Sequence, residues 1–161
     1  MSIINNLLAY KNTCFWFFIP ILVFNIVFFN KLPAHYLRNI SRPIVLLETI
    51  ARIITIAFSA IMAINVHNKM GKLGLIIYLF GSIIYIFSYF IQIYFPNFAV
   101  NNHMIVKLSP YWTSIIWLVG IGLIGNKLFL KMPYNPIVYI IISVIFCTMH
   151  TYHGYLCCSI E

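Results

Sequence analysis

Residues 44–66 read IVLLETIARIITIAFSAIMAINV, 23 positions in which Glu48 and Arg52 are the only charges. A helix of that length rises roughly 34 Å, enough to cross a bilayer's hydrocarbon core with some tilt. Glu48 and Arg52 stand four apart with the acid first, which puts them on one face in the favourable order for an intrahelical ion pair. At 100° per residue Thr55, Ser59 and Ala63 fall within about 40–60° of the Glu48 direction, so the charges head a polar and small stripe. Charges left against lipid cost several kcal/mol each, so the stripe is expected to face the protein interior or a watery cavity.

Four further apolar runs surround this one: residues 13–29, 73–95, 111–130 and 137–158. The expectation is an all-α, polytopic transmembrane bundle of five spans, with the whole chain, 1–161, as a single integral membrane domain. The composition agrees: 63% of positions are hydrophobic and 7% charged, against roughly a quarter charged in soluble domains. The first run exceeds a signal-peptide core in length and lacks a small-x-small cleavage site, so it reads as a retained span. Pro20 is expected to kink that span, and Asn25 needs a hydrogen-bond partner in lipid. In the fourth run Gly120, Gly122 and Gly125 permit close approach of another backbone, and Pro133 with Pro136 separates it from the last.

The acid inventory excludes whole chemistries. The chain has no aspartate, and its two carboxylate side chains are Glu48 and the final residue, Glu161. Paired-carboxylate glycoside hydrolysis, aspartic dyads, two-metal phosphoryl transfer and a Ser-His-Asp relay each need more acid than that. Gly71 and Lys72 lack the remainder of a phosphate loop. The net charge of +8 comes from ten basic residues dispersed through the connections. That pattern suits anionic lipid headgroups and excludes nucleic acid, which requires a continuous basic face.

In the third run Gly74, Tyr78, Gly81, Tyr85, Ser88 and Gln92 share a face within about 60° and predict an interior seam. In the last run Ser143, Cys147, His150, His153, Gly154 and Cys157 form one broad face. His150, His153 and Cys157 are the candidate metal ligands, able to hold zinc or copper if another helix adds a fourth donor. The more ordinary reading makes them interfacial histidines beside Tyr152 and Tyr155. Disulfides are not expected: Cys147 and Cys157 lie about 15 Å apart along a helix, and Cys14 belongs at the opposite membrane surface.

Positive-inside counting sets Lys11, Lys69, Lys72, Lys127 and Lys131 against Lys31, Arg38, Arg42 and Lys107, favouring a cytoplasmic N-terminus and an external C-terminus. The basic connection after the first run, with Tyr36 and the arginine stems, is expected to lie along the interface. FFNKLP at 28–33, LETIARI at 47–53, IIWLVGIGLIG at 115–125 and the His-x-x-His of the last run are similar to a group of small, uncharacterised bacterial multi-span membrane proteins. The resemblance implies a bacterial membrane protein and no activity. Five spans in an aromatic-rich chain also resemble the tryptophan-rich sensory protein family, whose tryptophan-rich loop pattern is missing here.

The expected function is non-enzymatic: binding or transport, in the cell membrane, of a small anionic or amphiphilic ligand. Its pocket would be lined by Glu48, Arg52, Thr55, Ser59, Tyr85, Ser88, Gln92 and His150, with no catalytic residue and no cofactor. Two alternatives use the same residues: an accessory subunit that packs these stripes against membrane-protein partners or a second copy, and a metal-dependent membrane enzyme built on His150, His153 and Cys157.

Overall fold

The computed structural model describes residues 12–32, 41–97, 103–129 and 133–159, and these are mostly helical. The interfacial connection expected around Tyr36 and Arg38 lies outside them, as do Lys11, Lys131 and Glu161. Helix α1 (Phe18–Phe28) is flanked by 3-10 turns at Cys14–Phe17 and Phe29–Lys31. Pro20 falls in the first turn of α1, where its missing N–H is tolerated, and the chain arrives there through the tighter 3-10 turn. Helix α2 (Arg42–Ile61) begins with Pro43 in its first turn, and strand β1 (Met62–Ile64) follows directly. Helix α3 (Lys69–Tyr94) starts earlier than the apolar run because the Asn68 side chain caps it, accepting from the Gly71 N–H at 2.6 Å.

The fourth apolar run is not one long helix. Short helices α4 (Met104–Lys107) and α5 (Ser109–Trp112) lead into α6 (Ser114–Ile124), which gives way to strand β2 (Gly125–Leu128). At the α5–α6 junction the Thr113 and Ser114 hydroxyls donate to the carbonyls of Ser109 and Tyr111, both at 2.6 Å. Such bonds let side chains share backbone acceptors and interrupt a regular helix. Helix α7 (Pro136–Ser159) is the last described element. Among the described residues four helical segments are long and apolar enough to cross a membrane: Cys14–Lys31, Arg42–Ile61, Lys69–Tyr94 and Pro136–Ser159. Their outward faces carry exposed Ile26, Ile53, Ile76, Phe80, Ile83 and Ile141, as a lipid-facing surface requires. These features are those of a helical membrane protein.

The structure is mostly helical, as an all-α bundle requires, and the second and fourth runs each end in a short strand. β1 and β2 pair antiparallel, with Met62 opposite Leu128, Ala63 opposite Lys127 and Ile64 opposite Gly125. The Ile64 N–H also donates to the Asn12 carbonyl at 2.8 Å, so the first segment joins the seam. At Gly125 a Cβ would meet the terminal methyl of Met62 and lie 3.1 Å from Cys14 Sγ, so glycine leaves room for both side chains. Tyr134 covers this end, donating to Met62 Sδ at 3.4 Å, and burial pushes its phenol above the ordinary tyrosine range. Lys69, Lys72 and Lys127 stand at this strand end of the bundle, and Lys31, Arg42 and Lys107 at the far end.

Two contacts fix α1 alongside α3 in the same direction: Tyr78 donates to the Phe17 carbonyl and Tyr85 to Asn25 Oδ1, each at 2.9 Å. Helices α3 and α6 pack antiparallel with their backbones in close approach at the glycines. A Cβ on Gly74 would sit 2.8 Å from the Gly120 carbonyl oxygen, and one on Gly81 would sit 2.6 Å from the Trp117 nitrogen. The buried residues of α3 are Gly71 and the predicted seam of Gly74, Tyr78, Gly81, Tyr85, Ser88 and Gln92. Helix α7 lies antiparallel to α6 through Ser114 and Cys147, 3.2 Å apart, and antiparallel to α2.

Candidate functional site

The site begins at Glu48, which is only 3% exposed although it belongs to a membrane-length helix. One helical turn later Arg52 donates Nη2–H to Glu48 Oε1, completing the pair that the spacing predicts. From the facing helix α7, His150 brings Nδ1 to within 2.9 Å of the same oxygen. His153, one turn on, directs its Nδ1 to Glu48 Oε2. An ionised carboxylate only accepts hydrogen bonds, so both imidazoles carry a hydrogen on Nδ1 and turn Nε2 away from the acid. Both carboxylate oxygens are thereby engaged, and the acid ties α2 to α7.

Aromatic rings hold this arrangement. The His150 ring stacks on Phe146 with centroids 5.3 Å apart and planes 14° from parallel, and Tyr111 packs against it at 4.8 Å. Tyr111 keeps its place because Gly154 has no side chain: a Cβ there would lie 2.6 Å from the Tyr111 ring. The Arg52 guanidinium carbon stands 6.0 Å from the centre of the Phe146 ring, within reach of a cation–π interaction. About half of the Arg52 side chain (48%) remains uncovered.

The four charged and imidazole side chains form one wall of a cavity of about 370 Å³. Asn25, Tyr85 and Tyr89 also line it, and Phe18, Ile21, Leu22 and Ile56 supply apolar surface. Tyr85 donates to Asn25, and the Tyr89 hydroxyl lies 3.2 Å from that of Tyr85. Each hydroxyl has one proton, so while Tyr85 donates to Asn25 the second bond requires Tyr89 to donate to Tyr85. Asn25 thus finds its partner in lipid-depth surroundings, and α1 becomes a wall of the site.

Of the predicted lining, the cavity brings together Glu48, Arg52, Thr55, Tyr85 and His150. It leaves out Ser59, Ser88 and Gln92. Ser59 and Ser88 donate to carbonyls of their own helices, Ile56 and Tyr85, both at 2.7 Å, and Gln92 donates to the Val106 carbonyl at 2.8 Å, joining α3 to α4. These hydroxyls share the buried face but settle their hydrogen bonds locally. The proposed metal trio is not assembled: His150 and His153 turn to Glu48. Among the described residues no group of three or more His, Cys, Asp or Glu side chains is arranged to hold a metal ion. None of the four cysteines forms a disulfide. Sequence reasoning missed Tyr89, the α1 wall and the partnership of His153 with the acid. Asn25, a lone amide in an apolar run, was the available signal for α1.

No protein-family model, curated protein or solved structure matches this chain. The functional reading therefore rests on the cavity itself. Arg52 can offer an oxyanion the guanidinium hydrogens not given to Glu48, while the aliphatic and aromatic wall can accept a short hydrocarbon chain.

Proposed function

We propose that this protein is a multi-pass protein of a bacterial cell membrane that binds a small anionic or amphiphilic ligand in the cavity between α1, α2, α3 and α7, and moves it across the bilayer. The observation that carries this reading is Arg52. It stands about 15 Å into α2 by helix rise, near the middle of the span. It lines the cavity with half its side chain uncovered although it is paired to a buried acid. A charge at that depth is retained where it serves a pathway or a ligand. The cavity volume falls within the range of small-molecule sites, and its lining combines charged and polar groups with apolar surface.

On this reading the chain crosses five times, the short α5–α6 segment making the fourth crossing. Its 16 residues, Ser109–Ile124, span about 24 Å. Support comes from its antiparallel packing on α3, which carries it from the far end to the strand end. The N-terminus is cytoplasmic and the C-terminus external, by the lysines at the strand end.

Mass spectrometry of small molecules retained after gentle extraction into nanodiscs tests the proposal. Wild-type protein is expected to carry an anionic amphiphile near one equivalent, and Arg52→Gln to lose most of it while remaining folded. Protein free of any small molecule, but isolated with stoichiometric membrane-protein partners, would overturn the proposal in favour of an accessory subunit.

A further inference from the structure

The charges around the cavity have a definite sum. Helix α2 contributes Glu48 and Arg52, α7 contributes His150 and His153, α5 contributes Tyr111, and α3 contributes Tyr85 and Tyr89. Helix α1 contributes no ionisable group, only Asn25. With both imidazoles neutral, Glu48 and Arg52 cancel and the wall is uncharged. A monoanion entering this wall adds one uncompensated negative charge at bilayer depth, where an isolated charge is strongly disfavoured.

Arg52 cannot add charge, because a guanidinium stays protonated, and phenols can only lose a proton. The groups able to restore neutrality are those of the Glu48, His150 and His153 unit. Within it the vacant positions are the imidazole Nε2 atoms, since Glu48 already faces three donors. A proton on either Nε2 leaves every existing bond to Glu48 in place and strengthens the one from its own ring.

We propose that the cavity takes up a monoanionic amphiphile together with one proton, the anion seated on Arg52 and the proton held by the Glu48, His150 and His153 unit. This rests on the reading of the cavity as a ligand site. The one bond formed is Nε2–H, its proton drawn from solution; one anion and one proton enter, and the net charge of the wall returns to zero. Transport of such a ligand would be electroneutral and driven by a proton gradient as well as by its own.

Calorimetry on the full chain in nanodiscs tests this, with decanesulfonate, which stays anionic throughout, and 1-decanol as its neutral counterpart. Decanesulfonate affinity is expected to be level at acidic pH and to fall about tenfold per pH unit once the free imidazoles are deprotonated, because binding then has to draw a proton from solution. Titrations in two buffers of different ionisation heat should report one proton per ligand, and decanol should bind without pH dependence. The double variant His150→Asn, His153→Asn keeps a donor to each Glu48 oxygen but cannot take the proton. Its decanesulfonate affinity should change less than twofold over the same pH range.

Decanesulfonate binding with a flat pH profile and no buffer-dependent heat in the wild-type protein would overturn the proton coupling while leaving the cavity as a ligand site. Equal pH slopes for decanesulfonate and decanol would overturn it too, by showing that the cavity changes shape rather than charge. Failure of both probes to bind at any pH would remove the ligand-site reading and this inference with it.

Discussion

The α3–α6 seam and the α2–α7 seam join helices of the same bundle with opposite materials. Between α3 and α6 the contact is made by absence: Gly74, Gly81 and Gly120 leave no side chain, and backbone meets backbone. Between α2 and α7 it is made by a buried acid with three donors around it. In lipid the first kind of contact gains dispersion from close approach and leaves no polar group needing a partner. The second must satisfy every polar atom or lose heavily. The two seams therefore answer to different conditions: the first depends on shape alone, the second on keeping every donor and acceptor of a cavity wall paired.

The comparison can be broken most forcefully at Gly120, where a Cβ would stand 2.5 Å from the Tyr78 nitrogen. Gly120→Leu is expected to cost more than about 4 kcal/mol, because backbone cannot move aside as a flexible side chain can. Denaturant unfolding in detergent would read this as loss of the folded form; a near-wild-type midpoint would mean that the close seam does not hold the bundle. Glu48→Ala comes next. It leaves Arg52, His150 and His153 donors facing no acceptor, and about 3 kcal/mol of stability should be lost in the same unfolding measurement. An unchanged midpoint would assign the α2–α7 seam to apolar packing and erase the contrast.

The smallest effect is expected at Tyr85→Phe, which removes the interhelical hydrogen bond to Asn25 and the longer one from Tyr89 and costs about 1 kcal/mol. Its value lies in separating the two roles: stability should barely move, while retention of a bound amphiphile falls several-fold if the Asn25, Tyr85 and Tyr89 wall contacts the ligand. Equal retention by wild type and variant would confine recognition to the Arg52 wall.

Much of the helical plan is legible from local pattern. Period-3.6 arithmetic places Glu48, Thr55 and Ser59 on the buried face of α2, and it marks the α3 seam from Gly74 to Gln92. The strands are not legible. MAI at 62–64 reads as a continuing apolar helix, while Gly125, Asn126 and Lys127 signal a helix end but not a strand, and the pairing depends on two segments more than 60 residues apart meeting at one end of the bundle. The site was half legible. The i, i+4 spacing announces Glu48 with Arg52, whereas His150 and His153, on a helix far along the chain, carry no mark of the acid they serve.

The amino-acid sequence alone determined that the chain forms apolar helices of membrane length, that an acid and an arginine turn inward on one of them, and that most soluble-enzyme chemistries lack their carboxylates. These follow from composition and from side-chain periodicity within single elements, which are local properties. Only the tertiary structure decided that the histidines of α7 turn to Glu48 rather than toward Cys157, that Asn25 closes the cavity through Tyr85, and that two runs end as paired strands. Each of those depends on which helix lies beside which. Buried donors and acceptors choose among distant partners by proximity, and proximity is fixed only when the backbones have packed.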